Sequence, residues 1–332
     1  MKHFTSVNDV QDAEALAQAA LEIKRQPSAY SEAGKNKTLA LVFLNPSLRT
    51  RMSMQKAAMN LGMQVIVINA DKDGWALEFE DGAVMNGASV EHVKEAAGVM
   101  GKYCDILGIR SFPGLRDREE DYSEKILKKF IEHSGVPVVS LESATRHPLQ
   151  SLADLMTIRE TWKKKTKPKV VLTWAPHVKP LPQAVANSFA EWMCRAEVEL
   201  VITHPEGYEL HEAYTRGAEI LYNQQEALRG ADYVYVKNWS SYKEYGKILC
   251  SDDAWMLTQE KLKITNRAKV MHCLPVRRNV ELSDEVLDGH HALHLLQAEN
   301  RIYAAKAVLK MLLDHDQPDR QVDKANTLTT IS

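Results

Sequence analysis

Several features are missing from this 332-residue chain, and each absence excludes something. No stretch of about 20 apolar residues occurs, so no membrane-crossing helix is expected. Met1-Lys2-His3-Phe4-Thr5 lacks the apolar core of a secretory leader. The four cysteines, Cys104, Cys194, Cys250 and Cys273, are widely spaced and form no Cys-x-x-Cys pair. That pattern predicts reduced thiols in a cytoplasmic protein rather than disulfides or a zinc site. Charge of one sign is lacking too. A net charge of −2 argues against nucleic acid or a membrane surface as partner. The one basic run, Lys163-Lys164-Lys165 with Lys167 and Lys169, reads as a solvated helix end. No GxxxxGK[ST] loop, GxGxxG turn or GxSxG elbow is present, nor are paired carboxylates at strand ends. His290-His291 with His294 has no Cys or carboxylate cluster beside it and reads as a surface turn, so no metal and no cofactor are expected.

What is present is an alternation of apolar, β-rich runs with helical patterns. Runs at Leu39–Leu44, Val65–Ile68, Ile106–Ile109 and Val136–Val139 are followed by a second set at Val170–Trp174, Val198–Thr203, Tyr233–Val236 and Val270–His272. Helices are expected over 8–25, 50–61, 89–102, 121–133, 147–164, 182–195, 208–217 and 297–313. The rhythm predicts an α/β fold of two doubly wound parallel-sheet halves. The helix at 147–164 would bridge them, with Pro148 in its first turn and Leu152, Leu155 and Met156 on one face. The tail from about His315 is polar and reads as disordered.

In open parallel sheets, ligands bind beyond the carboxyl ends of the strands. Ser47-Leu48-Arg49-Thr50-Arg51 follows the first strand after Asn45-Pro46. Ser47 is placed to cap a helix, yet two arginines fall in its first turn, where the helix dipole disfavours cations. An anion held by backbone N–H groups, hydroxyls and guanidinium groups would account for them. A capped helix with a solvated basic end would carry the same residues. Other strand ends supply Arg110, Glu142, His147-Pro148-Leu149-Gln150, His177, Lys237-Asn238-Trp239 and His272-Cys273-Leu274-Pro275-Val276-Arg277-Arg278. His147 reads as a helix start or as a donor to a carbonyl oxygen. Cys273 reads as a small buried residue, or as a thiol activated by His272, Arg277 and Arg278.

Phe43-Leu44-Asn45-Pro46-Ser47-Leu48-Arg49-Thr50-Arg51, then His147-Pro148-Leu149-Gln150, then His272-Cys273-Leu274-Pro275 together resemble the transcarbamylases. The resemblance covers about residues 2–313, and His-Cys-Leu-Pro narrows it to the ornithine-type branch. It implies the aspartate/ornithine carbamoyltransferase-like fold, with a carbamoyl-phosphate-binding domain over 1–146, an acylornithine-binding domain over 147–296, and the last helix packing back on the first domain. The Ser-Met-Gly element of ordinary ornithine transcarbamylases is absent. Tyr235-Val236-Lys237-Asn238-Trp239 and Asp73-Gly74-Trp75-Ala76-Leu77-Glu78 instead resemble the branch that acts on Nα-acylated ornithine. An acylated amine has lost its charge, so no anionic partner for it is needed.

The resemblance implies roles. Ser47, Leu48, Arg49 and Thr50 would hold the phosphate, with Trp75 reaching it from the neighbouring subunit of a homotrimer. Arg110, His147 and Thr50 would hold the carbonyl oxygen. Gln150, with carbonyls near Cys273 and Leu274, would orient the carbamoyl NH2, and Arg301 would complete the site. Glu142, His177, Lys237 and Arg277 would hold the acylornithine, with Val90 facing its acyl group. One loop position in that branch tends to be Glu in acetyl-specific and Pro in succinyl-specific members. Val90 aligns with it and lacks the carboxylate that would repel a succinyl group, which implies N-succinyl-L-ornithine as acceptor. A one-residue slip would place Glu91 there instead. Lys306 lies where acetyl-type relatives have a lysine that can be carboxylated. The rivals are N-acetylornithine transfer, transfer to putrescine, which would leave Lys237 and Arg277 without purpose, and a non-catalytic carbamoyl-phosphate-binding protein.

Overall fold

The computed structural model describes residues 1–70 and 72–315. Two parallel sheets carry the fold. The first orders its strands β2 (Gln64–Asn69), β1 (Thr38–Phe43), β5 (Ile106–Arg110) and β6 (Val138–Glu142). A two-residue pair, β3 (Leu77–Glu78) with β4 (Glu91–His92), stands apart from it. The second sheet runs β11 (Lys269–Met271), β10 (Tyr233–Lys237), β7 (Lys169–Trp174), β8 (Glu199–Thr203) and β9 (Glu219–Leu221). Strands β5, β6 and β10 are buried from end to end, and β1 from Leu39 onward, because helices cover both faces of a parallel sheet.

The covering helices are α1 (Ala13–Arg25), α2 (Leu48–Met59), α3 (Val93–Tyr103), α4 (Arg118–Tyr122) and α5 (Lys125–Ser134) around the first sheet. Then come α6 (Pro148–Thr161), α7 (Ala184–Met193), α8 (Glu212–Thr215), α9 (Gln224–Leu228), α10 (Gln259–Leu262), α11 (Asp284–Leu287) and α12 (His294–His315). The last of these returns to pack on α6, α2 and α1. One apolar core joins both sheets through these helices, from Phe4 and Leu41 to Trp174 and Phe189. Two smaller cores fill the outer faces, around Phe130 and around Val234.

Local chemistry explains where the elements differ from the sequence reading. The first expected helix begins at Ala13, because the Asp12 side chain accepts from the Ala15 N–H at 3.0 Å. Ser6 and Asp9 form a separate capped turn before it. The strand expected at 136–139 runs instead from Val138 to Glu142, since Pro137 has no N–H to give the ladder. The helix expected over 121–133 is two, broken at Glu124, whose φ of 55° is left-handed. Helix α6 exceeds its expectation: every residue from Pro148 to Ile158 is buried. The expected disordered tail concerns residues 316–332, which lie outside the described residues.

Strand order fixes where a ligand can enter. In each sheet the order reverses once, between β1 and β5 in the first and between β7 and β10 in the second. At such a switch point the loops leave in opposite directions and open a crevice. The residues at those ends are Phe43 beside Arg110, and Lys237 beside Trp174.

Candidate active site

Both crevices open into one cleft of about 640 Å³. Ser47, Leu48, Arg49 and Thr50 enter it from the first turn of α2, and Arg110 from the end of β5. Glu142, His147 and Gln150 come from the end of β6 and the start of α6. His177 follows β7, Lys237 ends β10, Cys273, Leu274 and Arg277 follow β11, and Arg301 projects from α12.

The cap at the start of α2 is formed: Ser47 Oγ accepts from the Thr50 N–H at 3.3 Å. Only one of the two first-turn arginines reaches the cleft. Arg51 donates to Asn69 Oδ1 at 3.3 Å instead, so two forks do not converge on one anion. Residues two apart on a helix point in different directions.

The floor of the cleft is cationic and interlocked. Arg301 Nη2 donates to Thr50 Oγ1 at 2.6 Å, and its Nη1 donates to Gln150 Oε1 at 3.0 Å. Arg110 Nη1 pairs with Glu142 Oε2 at 2.5 Å, and His147 Nε2 lies 3.5 Å from the same oxygen. Burial pushes Arg301 down to about 10, with Arg110 and Arg49 adding to the effect against Glu142; it stays charged at neutral pH. Burial also pushes His147 well below the usual histidine range, with Arg301, Arg110 and Arg49 adding to the effect. Its ring is therefore neutral and carries one N–H.

Four buried nitrogens of this floor have no partner within the protein: Arg49 Nε, Arg110 Nε, His147 Nδ1 and Arg301 Nε. Buried polar atoms are ordinarily satisfied, so such a cluster has the character of a site that receives oxygen atoms from a ligand.

The opposite side of the cleft is looser. Arg277 Nε donates to His177 Nε2 at 3.1 Å, while His177 Nδ1 lies 2.8 Å from the Lys179 carbonyl oxygen and 3.1 Å from the Lys179 N–H. Glu281 Oε2 accepts from the Arg277 N–H at 2.8 Å, and His272 Nδ1 accepts from the Leu274 N–H at 2.9 Å. The Leu274–Pro275 peptide is cis. Burial raises the Cys273 thiol, against the pull of Lys237, so the neighbouring cations do not activate it as the sequence suggested.

Val90, expected to face the acyl group, does not line the cleft, and neither does Trp75, expected to act on the neighbouring subunit's site. Trp75 is 55% exposed, with its indole N–H bonded to Glu91 Oε2 at 2.8 Å, and Val90 is 66% exposed. Both belong to the segment around β3 and β4, away from their own chain's cleft. Phe112, Leu181, Pro182 and Val185 line the cleft and were not singled out in the sequence. Phe112 lies two residues beyond Arg110, so a closer reading of that strand end would have found it. Lys306 is buried, and its Nζ donates to the carbonyls of Pro27 and Ala29 at 2.8 and 2.7 Å. That is the environment of an amine donor; the oxygens of a carbamate would face carbonyl oxygens.

A two-sheet α/β protein whose paired switch points share a cationic cleft is of the class that binds a small anionic ligand between its halves. Residues 2–160 match the aspartate/ornithine carbamoyltransferase carbamoyl-P binding domain, and residues 182–312 match the Asp/Orn binding domain. The chain belongs to the aspartate/ornithine carbamoyltransferase family. It is 51% identical to an N-succinylornithine carbamoyltransferase of Bacteroides fragilis (strain 638R), over 95% of this chain and 99% of that one. It is 36% identical to an N-acetylornithine carbamoyltransferase of Xanthomonas campestris pv. campestris, over 96% and 99%. Among solved structures, an N-acetyl-L-ornithine transcarbamylase mutant complexed with carbamyl phosphate and N-succinyl-L-norvaline matches with a TM-score of 0.88 at 34% identity. The match covers 94% of this chain and all of that one. An acetylornithine transcarbamylase complexed with acetylcitrulline also matches at 0.88 and 34%, over 94% and 99%.

Proposed function

We propose that this chain transfers the carbamoyl group of carbamoyl phosphate to the δ-amine of N-succinyl-L-ornithine, giving N-succinyl-L-citrulline and phosphate in arginine biosynthesis. The observation that carries this reading is the set of four unpartnered buried nitrogens on Arg49, Arg110, His147 and Arg301. Ser47, Leu48, Arg49 and Thr50 hold the phosphate. Arg110, His147 and Thr50 hold the carbonyl oxygen and stabilise the negative charge that grows there on attack. Gln150 and the carbonyls near Cys273 and Leu274 take the carbamoyl NH2, while Arg301 braces Gln150 and Thr50.

Glu142, His177, Lys237 and Arg277 hold the acylornithine, the two cations facing its α-carboxylate. Its neutral δ-nitrogen attacks the carbamoyl carbon, the bond from that carbon to the bridging phosphate oxygen breaks, and the departing phosphate takes the proton. No protein base is required; most of the rate gain comes from positioning and from preset charge.

The exposure of Trp75, Val90, Val84 and Met85 supports a second part of the proposal. The protein is a homo-oligomer, a trimer, in which the segment around β3 and β4 of one subunit completes the next subunit's cleft. Trp75 then reaches the phosphate and Val90 faces the acyl group. The enzyme works in the cytoplasm, on carbamoyl phosphate and N-acylated ornithine.

Ureido product is measured with carbamoyl phosphate and N-succinyl-, N-acetyl- or free ornithine in parallel. Fastest turnover of the succinyl compound is expected, and Val90→Glu should shift the succinyl-to-acetyl ratio at least tenfold toward acetyl. Faster turnover of the acetyl compound by the parent chain would overturn the assignment in favour of N-acetyl-L-ornithine, the acceptor named for the 36% identical relative.

A further inference from the structure

Asp154 lies one turn after Gln150 on α6, fully buried, and has no part in the chemistry above. Its Oδ1 accepts two hydrogen bonds, from Gln150 Nε2 at 2.8 Å and from Gln297 Nε2 at 2.8 Å. Each glutamine passes the connection on. Gln297 Oε1 accepts from the backbone N–H of His272 at 2.8 Å, where the turn carrying Cys273 and Leu274 begins. Gln150 Oε1 accepts from Arg301, which in turn donates to Thr50. One unbroken chain of buried hydrogen bonds therefore runs from the turn after β11, through Asp154, to the first turn of α2.

The donors and acceptors in that chain permit only one arrangement. The Asp154 oxygen accepts, so it draws the NH2 end of the Gln150 amide toward itself; Arg301 only donates, so it takes the oxygen end. Gln150 thus turns an acceptor, never a donor, toward the cleft. A carbamoyl NH2 has only hydrogens to offer, and a flipped amide would set donor against donor. Gln297 is fixed in the same way, between a backbone N–H and Asp154. Burial raises the Asp154 carboxyl to about 7, against the pull of both glutamines. The Tyr235 hydroxyl lies beside the same carboxyl, and a proton on Oδ2 leaves Oδ1 an acceptor in either state.

We propose that Asp154 is a positioning residue for carbamoyl transfer: it locks the Gln150 amide with its oxygen toward the carbamoyl NH2 and, through Gln297, ties the turn at His272–Leu274 into the same register. The proposal rests on the role given to Gln150 above.

The test is a double-mutant cycle in the full-length chain, reading kcat/KM for carbamoyl phosphate with N-succinyl-L-ornithine saturating and with folding checked by circular dichroism. Asp154→Leu should lose at least thirtyfold. Asp154→Asn keeps an acceptor oxygen at the same place and should stay within about fivefold of the parent. In a Gln150→Leu background, Asp154→Leu should cost less than threefold more, because there is no amide left to orient. A folded Asp154→Leu protein within threefold of the parent overturns the proposal, as does an undiminished loss in the Gln150→Leu background. If Asp154→Leu does not fold, Asp154→Ser takes its place with an expected loss of tenfold. A Gln150→Leu protein with normal kinetics would instead remove the role assigned to Gln150 itself.

Discussion

The two sides of the cleft are built differently. The side formed by α2, β5, α6 and α12 is buried and cross-braced, with Thr50, Arg110, His147, Gln150 and Arg301 all nearly inaccessible. The side formed by the ends of β7, β10 and β11 leaves His177 half-buried and Arg277 exposed, with Lys237 as a buried cation. Trp75 and Val90 are exposed as well. The braced side presents fixed donors to a small, rigid, highly charged ligand; preset dipoles of this kind need no reorganisation during reaction. The looser side must admit a longer, flexible amino acid, and conformational freedom there costs less than misplacement would on the floor. On the roles proposed above, donor recognition is folded into the core and acceptor recognition is laid on the rim.

Three changes break or sharpen that contrast. Arg49→Ala removes a guanidinium from the floor, and kcat/KM for carbamoyl phosphate should fall by about 10²–10³, the usual cost of losing one preset donor. Near-normal turnover would sink the anion assignment. Lys237→Met should act on the other ligand alone, raising KM for the acylornithine about tenfold or more while KM for carbamoyl phosphate stays within twofold. Equal changes in both would show that the two sides do not divide the work.

The smallest effect concerns stability. Burial opposes the ionisation of Glu281, yet His272, Lys237 and the Arg277 N–H hold its carboxyl at about 2. A folded-state value below the unfolded one means that the stabilisation is complete above about pH 4.5 and is lost as pH falls through 2. Glu281→Gln should therefore lower the urea midpoint at pH 6 and lose that deficit toward pH 3. A deficit that does not change with pH would show that Glu281 acts through packing rather than charge.

Much of this was legible in the sequence because parallel strands buried on both faces read as continuous apolar runs, as in Leu39–Leu44 and Tyr233–Val236. The cleft residues at strand ends followed from the same logic. Arg51 was misread because spacing along a chain does not say which way a side chain leaves a helix, and Asn69 was there to receive it. Asp154 was overlooked because attention to strand ends stops at the first turn of α6; its separation of four residues from Gln150 was the available signal. The α6 pattern of Leu152, Leu155 and Met156 suggested one buried face. Nothing in it announced that Ser151 would find Ser188 at 3.0 Å, or Thr157 the Ala153 carbonyl at 2.7 Å, so that the polar face could be buried too.

That last feature bears on how such a protein can be inherited. A helix buried on every side from Pro148 to Ile158, gripped by α1, α7 and α12, belongs to neither half of the chain. A chimaera spliced at residue 147, joining this phosphate side to a relative's acceptor side, would set a foreign α6 and α12 against a native α1 and α2. On the acceptor roles proposed above, change in acceptor preference has an easier route through the rim, one exposed residue at a time, than through exchange of whole halves. The seam between the halves is the part that has to descend intact.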